Sequence, residues 1–420
     1  MTATPRVVVA GAGFAGLEAA FLLRMRLGGR VHIDLVSESP RFVFRPNSIY
    51  VPFGADPEDL VVDLEKPLRR RRIPFVQGRV QAVDTDARTV ELDDGRRLPF
   101  DHLVIATGAA MRPDEVPGLA DHACTIWTTD EMLALRGRID ETVRRAASGS
   151  RQRVLFAVPP ANKCSGPLYE MVFMLETWLR RKGVREAVDI AYRTYEHSYI
   201  QAFGPRLHDV VTGEFAERGI DGRTETVLAE VRPGEAVMRD GTVESFDLLI
   251  AFPPYVAAMR WEGLPADDRG FLRTDLATRQ VAGCAGVYAP GDAGDFPVKQ
   301  AFLAFLQADA VAERVAAEVT GTPADRGFDP VSMCVMEMLD SATFAQVPLR
   351  VTGDPDRPVE VRPDAGDDYK VGVSPAWRVG KKMLGFYLPM RFGAGEPFHA
   401  GAGWQMMDLG LKGMVKVLAD

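Results

Sequence analysis

The sequence predicts an α/β protein: two Rossmann-like parallel-sheet units, the second inserted in the first, and then a C-terminal α+β module that ends in membrane-interface helices. Three observations carry this reading. A short apolar strand, Val7-Val-Val-Ala10, runs into Gly11-Ala-Gly13-Phe14-Ala15-Gly16 and a helix bearing Leu17, Ala19, Ala20, Leu22 and Leu23. The same strand-turn-helix order recurs from Arg153, with the strand at 153–158 and the helix at 168–179. Two strand-turn-strand modules, at 90–101 and 237–247, each feed an apolar strand, Leu103-Val-Ile-Ala106 and Leu248-Leu-Ile-Ala251. Gly286-Val-Tyr-Ala-Pro-Gly291-Asp292 and a helix from about residue 300 to 319 then return to the first unit, which makes the second an insertion. The expected units are 1–110 with 271–322, then 111–270, then 323–420.

The first turn carries chemistry. Glycines at the three fingerprint positions allow a tight turn, a close approach of backbone to a pyrophosphate, and close packing of helix on strand. A second strand, Val31-His-Ile-Asp-Leu-Val36, leads to Glu38, 22 positions after Gly16. That is where an acidic side chain meets a ribose hydroxyl. A bare glycine motif is weak evidence, but strand, helix and acid together make a dinucleotide site the expectation.

The turn of the second unit reads differently. It is Pro159-Pro-Ala-Asn-Lys-Cys164-Ser-Gly-Pro167, without a glycine fingerprint. Two prolines, a lysine and a cysteine cannot reproduce a phosphate-binding surface at a helix N-terminus. The unit has exchanged a nicotinamide site for a thiol.

Composition excludes a nucleic-acid binder. The chain has 420 residues, 50 Lys plus Arg, 58 Asp plus Glu and a net charge of −8, which offers no footprint for a phosphate backbone. The Arg69-Arg-Arg-Arg72 run reads as a solvated helix end. The N-terminus runs into the first strand without a signal peptide, and no stretch approaches the roughly 20 apolar residues of a spanning helix. A cytoplasmic location follows as an expectation, with Cys124, Cys164, Cys284 and Cys334 kept reduced unless catalytic.

Gly11-Ala-Gly-Phe-Ala-Gly16, Ala106-Thr107-Gly108 and Ala289-Pro-Gly291-Asp292, in this order, resemble the two-dinucleotide-binding-domain flavoproteins of the disulfide reductase superfamily. Within it, Cys164-Ser-Gly-Pro-Leu-Tyr-Glu170, Ser332-Met333-Cys334 and the Cys124-Thr pair resemble the sulfide:quinone oxidoreductases, across about residues 6 to 395.

The resemblance implies FAD on the first glycine turn, with Glu38, Arg45, Pro46, Val80, Ala106, Thr107, Gly108, Gly291 and Asp292 around it, and no metal. It implies that Lys299 faces the pyrimidine end of the flavin, where a cation stabilises the anionic reduced form. It further implies a Cys164–Cys334 disulfide open to attack by sulfide, and Glu170 as a proton carrier near the sulfurs. Cys124 is implied either as an attachment point for the flavin methyl or as a persulfide carrier. Cys284 matches nothing in the family and reads as a small core residue. His197 lies near a family histidine position but not on it.

The C-terminal segment sets the electron acceptor. A helix from Pro375, expected to stop at Pro389, precedes a second helix at 404–418. In the second, Gln405, Asp408, Lys412 and Lys416 share a polar face, leaving Trp404, Met407, Leu411, Met414, Val415 and Leu418 for a membrane interface, the protein body or a homo-oligomer contact. A quinone is dissolved in lipid, and Met333, Phe386 and Tyr387 are the expected quinone-binding residues. The competing readings are the flavoprotein subunit of a sulfide dehydrogenase, a type II NADH dehydrogenase and an inactive redox-sensing flavoprotein.

Overall fold

The computed structural model describes residues 4–324 and 326–420. Strand β1 (Arg6–Ala10) lies between β2 (His32–Ser37) and β4 (His102–Ile105), and β3 (Phe75–Gln77) pairs with β2, all parallel. Val7, Val8 and Val9 are wholly buried, because a parallel sheet is covered on both faces and its strands read as continuous apolar runs. Helix α1 (Phe14–Leu27) covers one face.

The chain then builds a second parallel sheet from β5 (Cys124–Thr125), β6 (Gln152–Val158), β7 (Val188–Thr194), β8 (Ile220–Arg223) and β9 (Leu248–Ala251), in the order β5-β9-β6-β7-β8. Helix α2 (Thr129–Ala147) opens with a capping box between Thr128 and Glu131, which satisfies first-turn donors reciprocally. Helix α3 (Gly166–Arg181) follows β6. Strand β10 (Val287–Tyr288) then pairs with β4 and completes the first sheet, so the second sheet is an insertion within the first. Helix α4 (Ala301–Thr320) packs beside α1.

The last module is antiparallel: β11 (Val331–Glu337), β12 (Ala342–Val351) and β13 (Val359–Val361) in order, with β14 (Lys370–Ser374) also on β12. Helices α5 (Pro375–Gly393) and α6 (Gly401–Leu418) end the chain.

Two expectations about these helices need correction. Helix α5 does not stop at Pro389 but runs through it to Gly393. Proline removes one backbone donor from the helix, yet buried Tyr387, Leu388, Arg391 and Phe392 anchor the turns on either side, and the Arg391 guanidinium donates to the Pro397 carbonyl.

The apolar face expected at a membrane interface in α6 turns inward instead. Trp404 and Met407 pack on the core of the first unit, Leu411 is buried, and Met414, Val415 and Leu418 pack by Phe344 and Trp377. Asp420 and Val371 exchange backbone hydrogen bonds of 3.0 and 3.1 Å, which ties the chain end to β14. The residues left outward are Met406, Leu409 and Val417. Helix α5 adds an exposed stripe of Val379, Met383, Phe386 and Met390. Among the described residues, no helix is long and apolar enough to cross a membrane.

Candidate active site

The glycine turn sits between β1 and α1, where backbone geometry forces its composition. Gly11 has φ +111°, and a Cβ there would lie 2.3 Å from the Ala106 carbonyl oxygen. A Cβ on Gly16 would lie 1.9 Å from the Gly11 oxygen. Gly13 caps α1 without a side-chain hydrogen bond, and the space where its Cβ would stand is open to 4 Å. The first-turn N–H groups of α1, at Phe14, Ala15 and Gly16, are therefore offered to an anion.

Gly291 packs directly on this turn. At φ +70°, it packs so closely that a Cβ would meet Ala15 at 3.0 Å and Ala304 at 3.3 Å. Gly108 takes φ +77° beyond the end of β4, after Ala106 and Thr107, with open space at its Cβ. Val80 is buried with Ala10, Val36 and Ala293. Glu38 follows β2 and stays exposed, 3.4 Å from Arg79. Arg45 and Pro46 start the 3-10 segment Arg45–Phe53, and the Arg45 guanidinium lies 4.3 Å over the Trp127 ring.

Asp292 and Lys299 lie in each other's field behind the turn. Burial raises the Asp292 carboxyl above its usual range, with Lys299 and Arg45 opposing. Burial pushes the Lys299 ammonium down to about 7, with Asp292 opposing. Lys299 lies 3.9 Å over the Phe271 ring and donates to the Gly294 carbonyl, and its backbone N–H donates to Lys163 at 3.1 Å. That last bond joins the Lys299 segment to the Cys164 turn.

Asn162 builds the Cys164 turn. Its amide donates to the Phe252 and Pro253 carbonyls at 2.9 and 3.2 Å, and its oxygen accepts the Cys164 N–H at 2.9 Å. Ser165 donates to buried Glu196 at 2.9 Å, which fixes the start of α3. Cys334 lies on β11, which packs against α3. Burial pushes the Cys164 thiol far up, and the nearby Cys334, Asp292 and Glu170 push further. Burial likewise pushes Cys334 up to about 12, with Glu170 adding and Lys381 opposing.

Glu170 is buried on α3. It accepts the Glu337 N–H at 2.7 Å and is ion-paired with Lys381 of α5, whose ammonium also donates to the Val335 carbonyl at 2.8 Å. Glu337 is fully buried and accepts from Tyr50 and Arg378, each at 2.6 Å. None of Asn162, Lys381, Glu337, Tyr50 or Arg378 was anticipated from the sequence. Only Asn162 carried a local signal, since asparagine two residues before a turn end is a common turn builder.

Other expected residues lie apart. Cys124 lines a separate pocket with His122, Arg138, Phe246 and Asp247, and burial raises its thiol with Arg138 opposing. Met333, Phe386 and Tyr387 do not meet: Met333 packs with Phe344 and Trp377, Tyr387 packs in the core of the first unit, and Phe386 faces outward. Successive helix residues point about 100° apart, so neighbours at 386 and 387 cannot form one wall. His197 pairs with Glu225 on the surface, and Cys284 packs against the core of the first sheet.

Residues 5–146 match the pyridine nucleotide-disulphide oxidoreductase family model. Over that stretch, about a third of its length, the chain is similar to the pyridine nucleotide-disulphide oxidoreductases. FAD suits the uncapped helix end and glycine cradle: Gly13 and Gly108 leave open space there, while Gly11, Gly16 and Gly291 let the cradle's own backbone and helices pack closely. A sulfide-quinone reductase of Aquifex aeolicus is 29% identical over 239 residues, spanning 56% of this chain and 54%, about half, of that protein. The mitochondrial sulfide:quinone oxidoreductase of Mus musculus is 23% identical, over 73% of this chain and 70% of that one. An NADH dehydrogenase-like protein of Mycobacterium tuberculosis is 27% identical, over 68% and 72%. The solved sulfide:quinone oxidoreductase of Aquifex aeolicus superposes with a TM-score of 0.82 at 20% identity, covering 97% of this chain and 96% of that one, which shows the fold.

Proposed function

We propose that this chain is a peripheral, FAD-dependent sulfide:quinone oxidoreductase. The observation that carries the reading is the turn before α3, which presents Cys164 in the field of Cys334 where a nucleotide-binding turn would present glycine. FAD, when bound, supplies a two-electron acceptor and its relay to the quinone.

The chain's own part is sulfur chemistry. Hydrosulfide attacks one sulfur of a Cys164–Cys334 disulfide; a new S–S bond forms there, the Sγ–Sγ bond breaks, and its electron pair stays on the other cysteine as thiolate. The attacked cysteine is left as a persulfide. Desolvation disfavours a thiolate at both positions. Glu170, beside Cys334, is the proton carrier. Lys299, buried in the field of Asp292, supplies the cation for the reduced cofactor.

The acceptor side rests on the outward stripe of Val379, Met383, Phe386 and Met390 with Met406, Leu409 and Val417, edged by exposed Lys382, Lys412 and Lys416. An apolar face rimmed by lysines suits an anionic membrane surface, where a lipid-soluble quinone is found.

Anaerobic titration of the holoprotein with sulfide, repeated with NADH, tests the reading. Bleaching by sulfide alone is the expected result. Bleaching by NADH alone favours a type II dehydrogenase, and bleaching by neither favours a redox sensor.

A further inference from the structure

Glu170 and Cys334 come from different units, and one side chain touches the surroundings of both. Lys381 is ion-paired with the Glu170 carboxylate and donates to the carbonyl of Val335, the residue after Cys334, at 2.8 Å. A carboxylate in apolar packing without a cation becomes neutral, and a neutral carboxyl cannot accept a proton.

The other charged and titratable groups facing Glu170 and Cys334 do not supply that cation. On β11, Glu337 is held by Tyr50 and Arg378 and by the N–H groups of Met338 and Leu339 at 3.2 and 2.7 Å. Arg378, one turn before Lys381 on α5, is spent on Glu337. Tyr50, from the segment before α2, donates its hydroxyl to the same carboxylate. Asp292 acts on Cys164, and both add only negative charge when ionised. Lys381 is the sole ion-pair partner of Glu170 among the described residues.

We infer that Lys381 is a positioning residue that keeps Glu170 ionised beside Cys334, so that Glu170 takes the proton from the S–H group carried there. The S–H is the persulfide after sulfide has attacked Cys334, or the thiol in the reduced pair. The step is R–S–H plus Glu170 carboxylate giving R–S⁻ plus Glu170 carboxylic acid; one S–H bond breaks, one O–H bond forms, and no electron moves. The inference deepens the sulfide reading and rests on it for the substrate. Burial leaves the Glu170 carboxyl above its usual range even against Lys381 and the Glu337 N–H, which brings it closer to the operating pH of a general base.

Infrared spectroscopy of the FAD-loaded, full-length protein tests the ionisation without any turnover. The expected result is a protonated-carboxyl band at neutral pH in Lys381→Met, absent from wild type and Lys381→Arg, and lost again in Lys381→Met with Glu170→Gln. Stopped-flow reduction by sulfide supplies the second arm. The fast phase at neutral pH should fall at least about tenfold in Lys381→Met, with its acid limb moved to higher pH, and recover in Lys381→Arg. Lys381→Gln replaces the Met variant should that one not fold. A Glu170 band already present in wild type, or no band and an unmoved pH limb in the neutral variants, overturns the inference. Wild-type flavin that sulfide does not bleach overturns the sulfide reading, and the infrared arm is read independently of it.

Discussion

Phe386 and Tyr387 are consecutive on α5 yet face opposite environments: Phe386 is 71% exposed and Tyr387 is 7% exposed, packed near Phe398 and Arg391. The helix thus has an inner face, which also carries Lys381 and Arg378 to the buried glutamates, and an outer apolar face that none of the described residues covers. Docking on a membrane is tested at the outer face. Met383→Glu with Phe386→Glu should abolish co-sedimentation with anionic vesicles and slow quinone reduction while sulfide still bleaches the flavin. Lys382→Glu and Lys416→Glu should each weaken binding by about 1 kcal/mol or more, less at high salt. Wild type that never sediments with vesicles makes the stripe a protein contact. Deleting α6 is the poorer test, because Trp404 and Leu411 are packed into the body.

Replacing Cys164 or Cys334 by serine should abolish flavin bleaching by sulfide and leave FAD bound, since neither residue belongs to the glycine turn. Rapid anaerobic bleaching in either variant would remove the disulfide mechanism. Cys124→Ser should retain bleaching, because Cys124 opens on its own pocket beside Arg138.

NADH and NADPH should neither bleach the flavin nor bind at physiological concentrations. The Cys164 turn is closed by Asn162 and Ser165 hydrogen bonds and lacks the glycines needed for close approach to a pyrophosphate. Stopped-flow mixing with NADH checks this directly.

The two glycine substitutions should behave differently. Gly13→Ala meets only open space in the protein, so it should fold normally and lose FAD affinity, because its methyl enters the space left for the cofactor. Gly16→Ala puts a Cβ 1.9 Å from the Gly11 oxygen and should destabilise the turn itself, by about 3 kcal/mol or more. Thermal unfolding of cofactor-stripped protein and FAD titration separate the two effects.

Acid stability should depend on Asp340, which joins the β11–β12 hairpin to Arg180 and Arg218. Burial works against its charge, but Arg218 and Arg180 outweigh it and hold the carboxyl at about 2. The folded state thus binds the proton less readily than the unfolded one, so this stabilisation is present above about pH 3.9 and is lost as pH falls toward 2. Asp340→Asn should cost about 1–2 kcal/mol at neutral pH, allowing for partial exposure, with the difference vanishing near pH 2. Urea unfolding across this range measures it.

Local chemistry was legible in the sequence wherever the physical requirement is itself local. The glycines at 11 and 16 follow from a turn that leaves no room for Cβ, and Cys164 stands out because a strand-turn-helix displays whatever its turn contains. The buried valines of β1 were legible because a parallel sheet is covered on both sides. Helix amphipathicity, by contrast, names an apolar face without naming what covers it. Tertiary structure turned Trp404 and Leu411 inward and left Phe386 outward, because the body supplied an apolar surface for one and not the other. The site's charge was decided the same way. Glu170 and Lys381 are 211 positions apart, and only the packing of α5 on β11 and α3 brings them together, where a buried carboxylate must find a cation or lose its charge.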